Sequence, residues 1–153
     1  VFKKIRKAEA ADVTYLVDFM RNTIRAHYRP ILGKEGVEAY IDRVASDVYL
    51  LDQLEDAQVL LLSEAIVGFA IYRGDRIELI MIADGFHRQG LGSHLLGFCE
   101  RKLFKKHPAI HLGSFEGNQK AIQFFKKKGW QETEMHRDED SGVNMIYFVK
   151  KAE

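Results

Sequence analysis

The chain has 153 residues, 46% of them hydrophobic and 29% charged, with 23 basic against 22 acidic side chains. That length fits one domain over residues 1–153, and so much apolar material beside a net charge of +1 excludes a disordered chain. A general nucleic-acid binder carries a basic excess, which is absent here, so no nucleic-acid partner is expected.

Residues 2–7 read as a first strand. Asp12 is placed to cap a helix whose positions Val13, Leu16, Val17, Met20 and Ile24 form one apolar stripe. After Pro30 and Gly33 the spacing recurs at Val37, Tyr40, Ile41, Val44 and Val48, predicting a second helix. Strands over 58–63, 66–73 and 76–82 follow, with breaks short enough for hairpins. Residues 90–107 are helical, with Leu91, Leu95, Cys99 and Leu103 on one face and Leu96 beside it. Pro108 precedes a strand over 109–115, and a helix over 118–128 is closed by Gly129. Strands over 130–137 and 143–150 flank the polar turn 138–142. The order β-α-α-β-β-β-α-β-α-β-β implies an α/β protein with a mixed sheet and helices on both faces.

The most informative segment is the turn after the third of those hairpin strands, Arg88-Gln-Gly-Leu-Gly-Ser93. It leads straight into an amphipathic helix, so Gly90 and Gly92 fall in the first turn, where N–H groups lack intrahelical partners. Without Cβ atoms there, an anion can approach, and the helix dipole favours its charge. Each hydrogen bond to a phosphate oxygen contributes roughly 1.5–3 kcal/mol. Dinucleotide and Walker fingerprints do not fit: Leu95 stands where the former needs a third small residue, and Gly-Lys-Ser/Thr is absent. A plain glycine-rich strand-to-helix turn is the other reading of these residues alone.

Together with Asn118-x-x-Ala121-x-x-Phe124-Phe125-x-x-x-Gly129-Trp130, this turn resembles the GCN5-related N-acetyltransferases, and the likeness in element order covers nearly the whole chain. The resemblance implies the acyl-CoA N-acyltransferase fold and acetyl-CoA as acyl donor. It assigns the pyrophosphate to the backbone N–H groups of Arg88, Gln89, Gly90, Leu91, Gly92 and Ser93, and the pantetheine arm to Ile80, Met81 and Ile82. The Ile82 N–H is expected to face the thioester oxygen. Asn118 matches the asparagine that bonds the pantetheine arm or orients the loop beside it.

Glu78 occupies the position of a glutamate that draws a proton from the attacking amine through water; a solvent-facing strand glutamate is the alternative. Phe125, beside the cofactor, replaces the tyrosine that protonates the leaving thiol in relatives. A thiol pKa of about 8.5 lets a thiolate leave near neutral pH, so this loss slows the reaction rather than forbidding it. Tyr147 and Ser114 are candidate replacements, with plain strand residues as the more usual reading of both. Gly113 stands where peptide-N-terminus acetylating relatives carry a glutamate, and His87 stands at the head of the glycine motif. The resemblance places Arg21, Arg25, His27, Tyr28 and Arg29 near the acceptor, with Glu35, Glu38 and Asp42 on the next helix. A solvated surface is the other reading of these residues and the one that charge runs usually mark. Lys126, Lys127, Lys128, Arg101, Lys105 and Lys106 are candidates for the 3′-phosphate.

The histidines lack metal-site spacing, so no metal is expected. Cys99, the single cysteine, excludes an intrachain disulfide and fits a reducing compartment. No apolar run approaches the ~20 residues that span a bilayer, and residues 1–6 lack a signal-peptide core. The expectation is a cytoplasmic N-acetyltransferase acting on a small-molecule or peptide amine, with no membrane partner. The alternative is a non-catalytic acyl-CoA-binding or sensor domain of the same fold. Homodimerisation through the last strands or helices is left open by the resemblance.

Overall fold

In the computed structural model, which describes residues 3–83, 85, 86 and 90–153, the chain begins with β1 (Lys3–Lys7), α1 (Val13–His27), α2 (Arg29–Val44) and α3 (Asp47–Asp52). The meander β2 (Ala57–Leu62), β3 (Ala65–Arg73) and β4 (Arg76–Ile82) follows. The remainder is α4 (Leu91–Phe104), β5 (Ala109–Phe115), α5 (Gln119–Lys127), β6 (Gln131–Arg137) and β7 (Asn144–Lys151). The strands form one mixed sheet in the order β1-β2-β3-β4-β5-β7-β6, in which β4 and β5 are the parallel neighbours.

Two apolar clusters cover its opposite faces. The stripe Val13, Leu16, Val17, Met20 and Ile24 of α1 is buried with Val59, Phe69, Ile71 and Met81 of the sheet. On the other face, Leu91, Leu95, Leu96, Cys99 and Leu103 of α4 join Ile122 and Phe125 of α5 against Leu60, Ile110, Leu112 and Phe148. Side chains alternate across a strand, so neighbours such as Val59 and Leu60 feed different clusters. Each fully buried large apolar side chain contributes ~1.5–3 kcal/mol, which makes these stripes the main support of the helices. Burial also pushes the Cys99 thiol up to about 12, so it behaves as core.

Two expectations are corrected. The second helix does not run on to Val48: Ala45 leaves helical geometry, and Ser46 caps α3 by accepting from the Tyr49 N–H at 3.1 Å. This restart resets the helical phase. Leu50 becomes the buried residue and Val48 is 81% exposed. Asp12 precedes α1 without a side-chain bond to it. Its carboxylate instead accepts two hydrogen bonds from Arg6, at 2.8 and 3.0 Å, and one from the Glu9 N–H at 2.8 Å.

The Arg6 guanidinium holds the Asp12 carboxyl below its ordinary value, against the opposing effect of burial. A depressed carboxyl stabilises the fold above its unfolded pKa and loses that contribution as pH falls through the folded value. Asp12→Asn, which keeps an acceptor for Glu9, is therefore expected to cost about 1–2 kcal/mol at neutral pH. Urea unfolding should show the difference shrinking below pH ~4. A difference that is the same at pH 3 and pH 7 contradicts this role.

Candidate functional site: a fork between the two halves of the sheet

The parallel pair β4 and β5 meets at one register position, Arg76 opposite His111. The His111 N–H donates to the Asp75 carbonyl at 2.9 Å, and its imidazole lies 3.6 Å from the Asp75 carboxylate. Beyond that pin the strands diverge. β4 stays paired with β3 and β5 with β7, leaving a cleft of about 210 Å³ lined by residues 77–80 and 112–115.

Glu78 stands where the fork opens. Ile71 pairs with Leu79 but Tyr72 pairs with Ile77, so Glu78 is an extra residue in a β-bulge. The bulge reverses the alternation: Ile77 joins the α4 cluster, whereas Leu79 packs against the α1 cluster. The Glu78 side chain is exposed and lines the cleft.

Hydrogen bonding to a single antiparallel neighbour alternates along a strand. The Ala83 N–H donates to Val67 of β3 at 2.8 Å, so the Met81 and Leu79 peptides also face β3. Those of Ile80 and Ile82 turn the other way, into the fork. Of the three successive residues Ile80, Met81 and Ile82, two thus turn their peptides into the fork, while Met81 contributes a buried side chain. Opposite Ile82, a Cβ on Gly68 would lie 2.8 Å from Ile82 Cδ1 and 3.1 Å from the Met81 carbonyl, so glycine there lets β4 take this course.

At the top of the fork, Gly90 adopts the left-handed conformation (φ 74°) immediately before α4. His94 donates to the Gly90 carbonyl at 3.1 Å. The N–H groups of Leu91, Gly92 and Ser93 precede that bond and have no intrahelical acceptor. A Cβ at Gly92 would sit 3.6 Å from Phe124 Cζ and 4.0 Å from Ile82 Cγ1. The helix start, the end of β4 and α5 therefore converge. Arg88 and Gln89, together with His87, lie outside the described residues.

The α5 wall carries Asn118, Ala121 and Phe125. Asn118 caps the helix, its side chain accepting from the Ala121 N–H at 3.4 Å. Phe125 is 5% exposed and packs its ring 6.3 Å from Trp130 and 6.1 Å from Phe148. Behind them, the Glu100 carboxylate accepts from Trp130 Nε1 at 2.9 Å and from Lys150 Nζ at 3.0 Å, tying α4 to the second half of the sheet.

The opposite wall was mostly hidden in the sequence. Tyr28, from the expected acceptor cluster, stacks on Tyr40 with centroids 5.7 Å apart, and Phe115 meets both rings edge-on at 6.1 and 5.4 Å. Arg43, Asp138, Met145 and Tyr147 complete this wall. The missing side chain of Gly113 is filled by the Tyr147 ring, 3.1 Å from where a Cβ would be. Ser114 also lines the cleft and is 8% exposed. Burial raises the Tyr28 and Tyr40 hydroxyls above their ordinary pKa, and it raises Tyr49, where the charge of Glu78 adds to the effect. Tyr40 reads as helical core in the sequence and Asp138 as a turn residue; no local pattern marks either as cleft-lining.

Other candidate residues lie elsewhere. Arg25 pairs with Glu38 at 2.8 Å, and Arg21 donates to the Ala45 carbonyl at 3.2 Å. Lys126 pairs with Glu132 at 3.4 Å, and the Lys128 ammonium stands 6.0 Å from the Phe124 ring centre. Among the described residues, no group of three or more His, Cys, Asp or Glu side chains is arranged to hold a metal. No described helix is long and apolar enough to cross a membrane.

Comparison with known proteins bears on this geometry. The family model described as an acetyltransferase (GNAT) domain matches residues 28–152. A GCN5-related N-acetyltransferase structure from Rhodopseudomonas palustris superposes with a TM-score of 0.88 at 15% identity, covering 99% of this chain and 97% of that one. The PaiA N-acetyltransferase from Thermoplasma acidophilum, in complex with coenzyme A, gives 0.83 at 19% identity over 99% and 100% of the two chains. The ribosomal-protein-S18-alanine N-acetyltransferase from Escherichia coli gives 0.71 at 20% identity over 98% and 94%. A forked mixed sheet with a glycine turn at its open end, and a family match spanning most of the sequence, lead to one conclusion: the chain belongs to the GNAT acetyltransferase family.

Proposed function

We propose that this protein is an acetyl-CoA-dependent N-acetyltransferase that moves an acetyl group to a primary amine by direct attack in a ternary complex. The observation that carries the reading is the fork itself, into which the Ile80 and Ile82 peptides turn beside the start of α4. The fit to a coenzyme is chemical as well as spatial. Among the described residues, and apart from its chain neighbours, no atom lies within 4 Å of a Cβ position on Gly90, and the helix start favours a diphosphate. The Thermoplasma acidophilum relative's complex with coenzyme A supports the same assignment.

The acyl donor, when bound, supplies the thioester; this chain supplies position, polarity and proton traffic. The Arg88–Ser93 backbone, with Gly90, Leu91 and Gly92 at its centre, takes the pyrophosphate. Ile80 and Ile82 hold the pantetheine arm, and the Ile82 N–H steadies the negative charge that develops on the carbonyl oxygen. Glu78, re-aimed by its bulge, accepts the amine's proton through water. Phe125 keeps the α5 wall dry but carries no proton. The hydroxyls of Tyr147 and Ser114, which line the cleft, are assigned to return one to the thiolate.

Phe125 also motivates a second reading, an acyl-CoA-binding domain without turnover. The two part in a thiol-release assay with acetyl-CoA and a panel of primary amines. The acetyltransferase reading expects amine-dependent release of free coenzyme A. No release with any amine, from protein that binds coenzyme A, leaves the binding domain.

A further inference from the structure

The charges lining the cleft are Arg43, Glu78 and Asp138. Arg43 is committed, bonded to Asp140 at 3.2 Å. Neither Glu78 nor Asp138 has an ion-pair partner among the described residues; Asp138 accepts a backbone bond from Ser141 at 3.0 Å. Glu78 marks one arm of the fork, and Asp138 stands on the turn that follows β6 on the other arm. The cleft thus presents one carboxylate on each of its two arms.

Between them lies an aromatic surface. Tyr40 is nine-tenths buried and lines the cleft. Its ring already carries a cation: the Arg43 guanidinium sits 5.3 Å from the centroid. The tether holding Arg43 there is an exposed ion pair of the class that contributes little, so the guanidinium can yield its place. Because burial keeps the Tyr28 and Tyr40 hydroxyls protonated, they are neutral hydrogen-bonding groups at any working pH near neutrality.

We propose that the α2 side of the cleft selects acceptors with a second cationic centre, of the aliphatic diamine class. The Tyr40 ring and the Asp138 carboxylate receive the ammonium that is not acetylated. This rests on the acetyltransferase reading for which amine reacts: the one at Glu78 loses its proton and attacks, while the one at Asp138 stays charged. An acceptor bearing a carboxylate would instead meet two like charges, Glu78 and Asp138.

Three probes of equal chain length test this with acetyl-CoA: 1,4-diaminobutane, n-butylamine and 4-aminobutyrate. The diamine is expected to have a kcat/KM about 10-fold above n-butylamine, with 4-aminobutyrate lowest. Asp138→Asn retains an acceptor for the Ser141 N–H and should bring the ratio of diamine to monoamine towards one, chiefly through KM. Calorimetry of the diamine against protein saturated with coenzyme A reads binding without turnover. Equal use of the three amines, or preference for 4-aminobutyrate, overturns the proposal and leaves the acetyltransferase reading intact. Diamine binding that weakens in Asp138→Asn, without acetylation of any probe, supports the selectivity and counts against transfer. Absence of both diamine binding and diamine acetylation overturns the proposal.

Discussion

Replacing Gly92 by aspartate is expected to weaken coenzyme A binding by at least about 100-fold, the loss of one or two charge-assisted hydrogen bonds. The residue lies in the first turn of α4, where the N–H groups face outward unpaired within the helix. A carboxylate placed there adds bulk and a like charge beside a diphosphate. Space is not the reason the fold would object: a Cβ at this position meets Phe124 Cζ at 3.6 Å, an ordinary contact. Circular dichroism and melting of Gly92→Asp should therefore stay near wild type. Gly92→Ala separates the contributions, since it adds the Cβ without the charge and should lose far less affinity. Equal affinity of the aspartate variant and the wild type removes the diphosphate from this turn.

Glu78→Gln is the second large effect. Glutamine preserves the shape of the side chain at the bulge but cannot take a proton. A positioned base contributes typically 10²–10⁴-fold, and a water-mediated one belongs at the lower end, so a loss of about 100-fold in kcat at pH 7 is expected. The pH dependence carries the sign. At low pH the acceptor is an ammonium and needs the carboxylate to relieve it of a proton. As pH rises towards the amine's own pKa, free amine arrives already neutral, and the variant should recover towards wild type. A ratio of variant to wild-type rate that is flat from pH 6 to pH 10 retires Glu78 as the base. Tyr28 and Tyr40 do not confuse this profile, because burial raises both hydroxyls above the ordinary tyrosine value.

What could be read from the sequence was what local chemistry encodes. The α4 stripe of Leu91, Leu95, Leu96, Cys99 and Leu103 has a helical period because one face of that helix must be buried, and all five are. Gly129 announces the end of α5 because its φ of 93° favours a residue without a Cβ. Val48 shows the converse: it continues an apolar period by coincidence, and the real signal was Ser46, a capping residue that restarts the helix.

The fork is a different kind of fact. Residues 76–82 read as one continuous strand, and nothing local says that β5 leaves them after Arg76, since that depends on pairing with β7 much later in the chain. The bulge at Glu78 is invisible for the same reason, being a mismatch between two strands. Tyr40 was legible as half of what it is: its ring packs against Phe115 as core while also lining the cleft. Asp138 reaches that wall from the β6–β7 turn, a placement that depends on how two strands pair and not on its neighbours in sequence. The glycine turn was legible from its spacing, and its family resemblance supplied the chemistry that spacing alone left open.

Titration of coenzyme A into the purified protein, followed by calorimetry, reads whether the fork and its glycine turn hold the coenzyme, with no acceptor needed. A single saturable site of micromolar order, lost in Gly92→Asp, is the expected result. A wild-type protein that takes up no coenzyme A at millimolar concentration contradicts the account at its root.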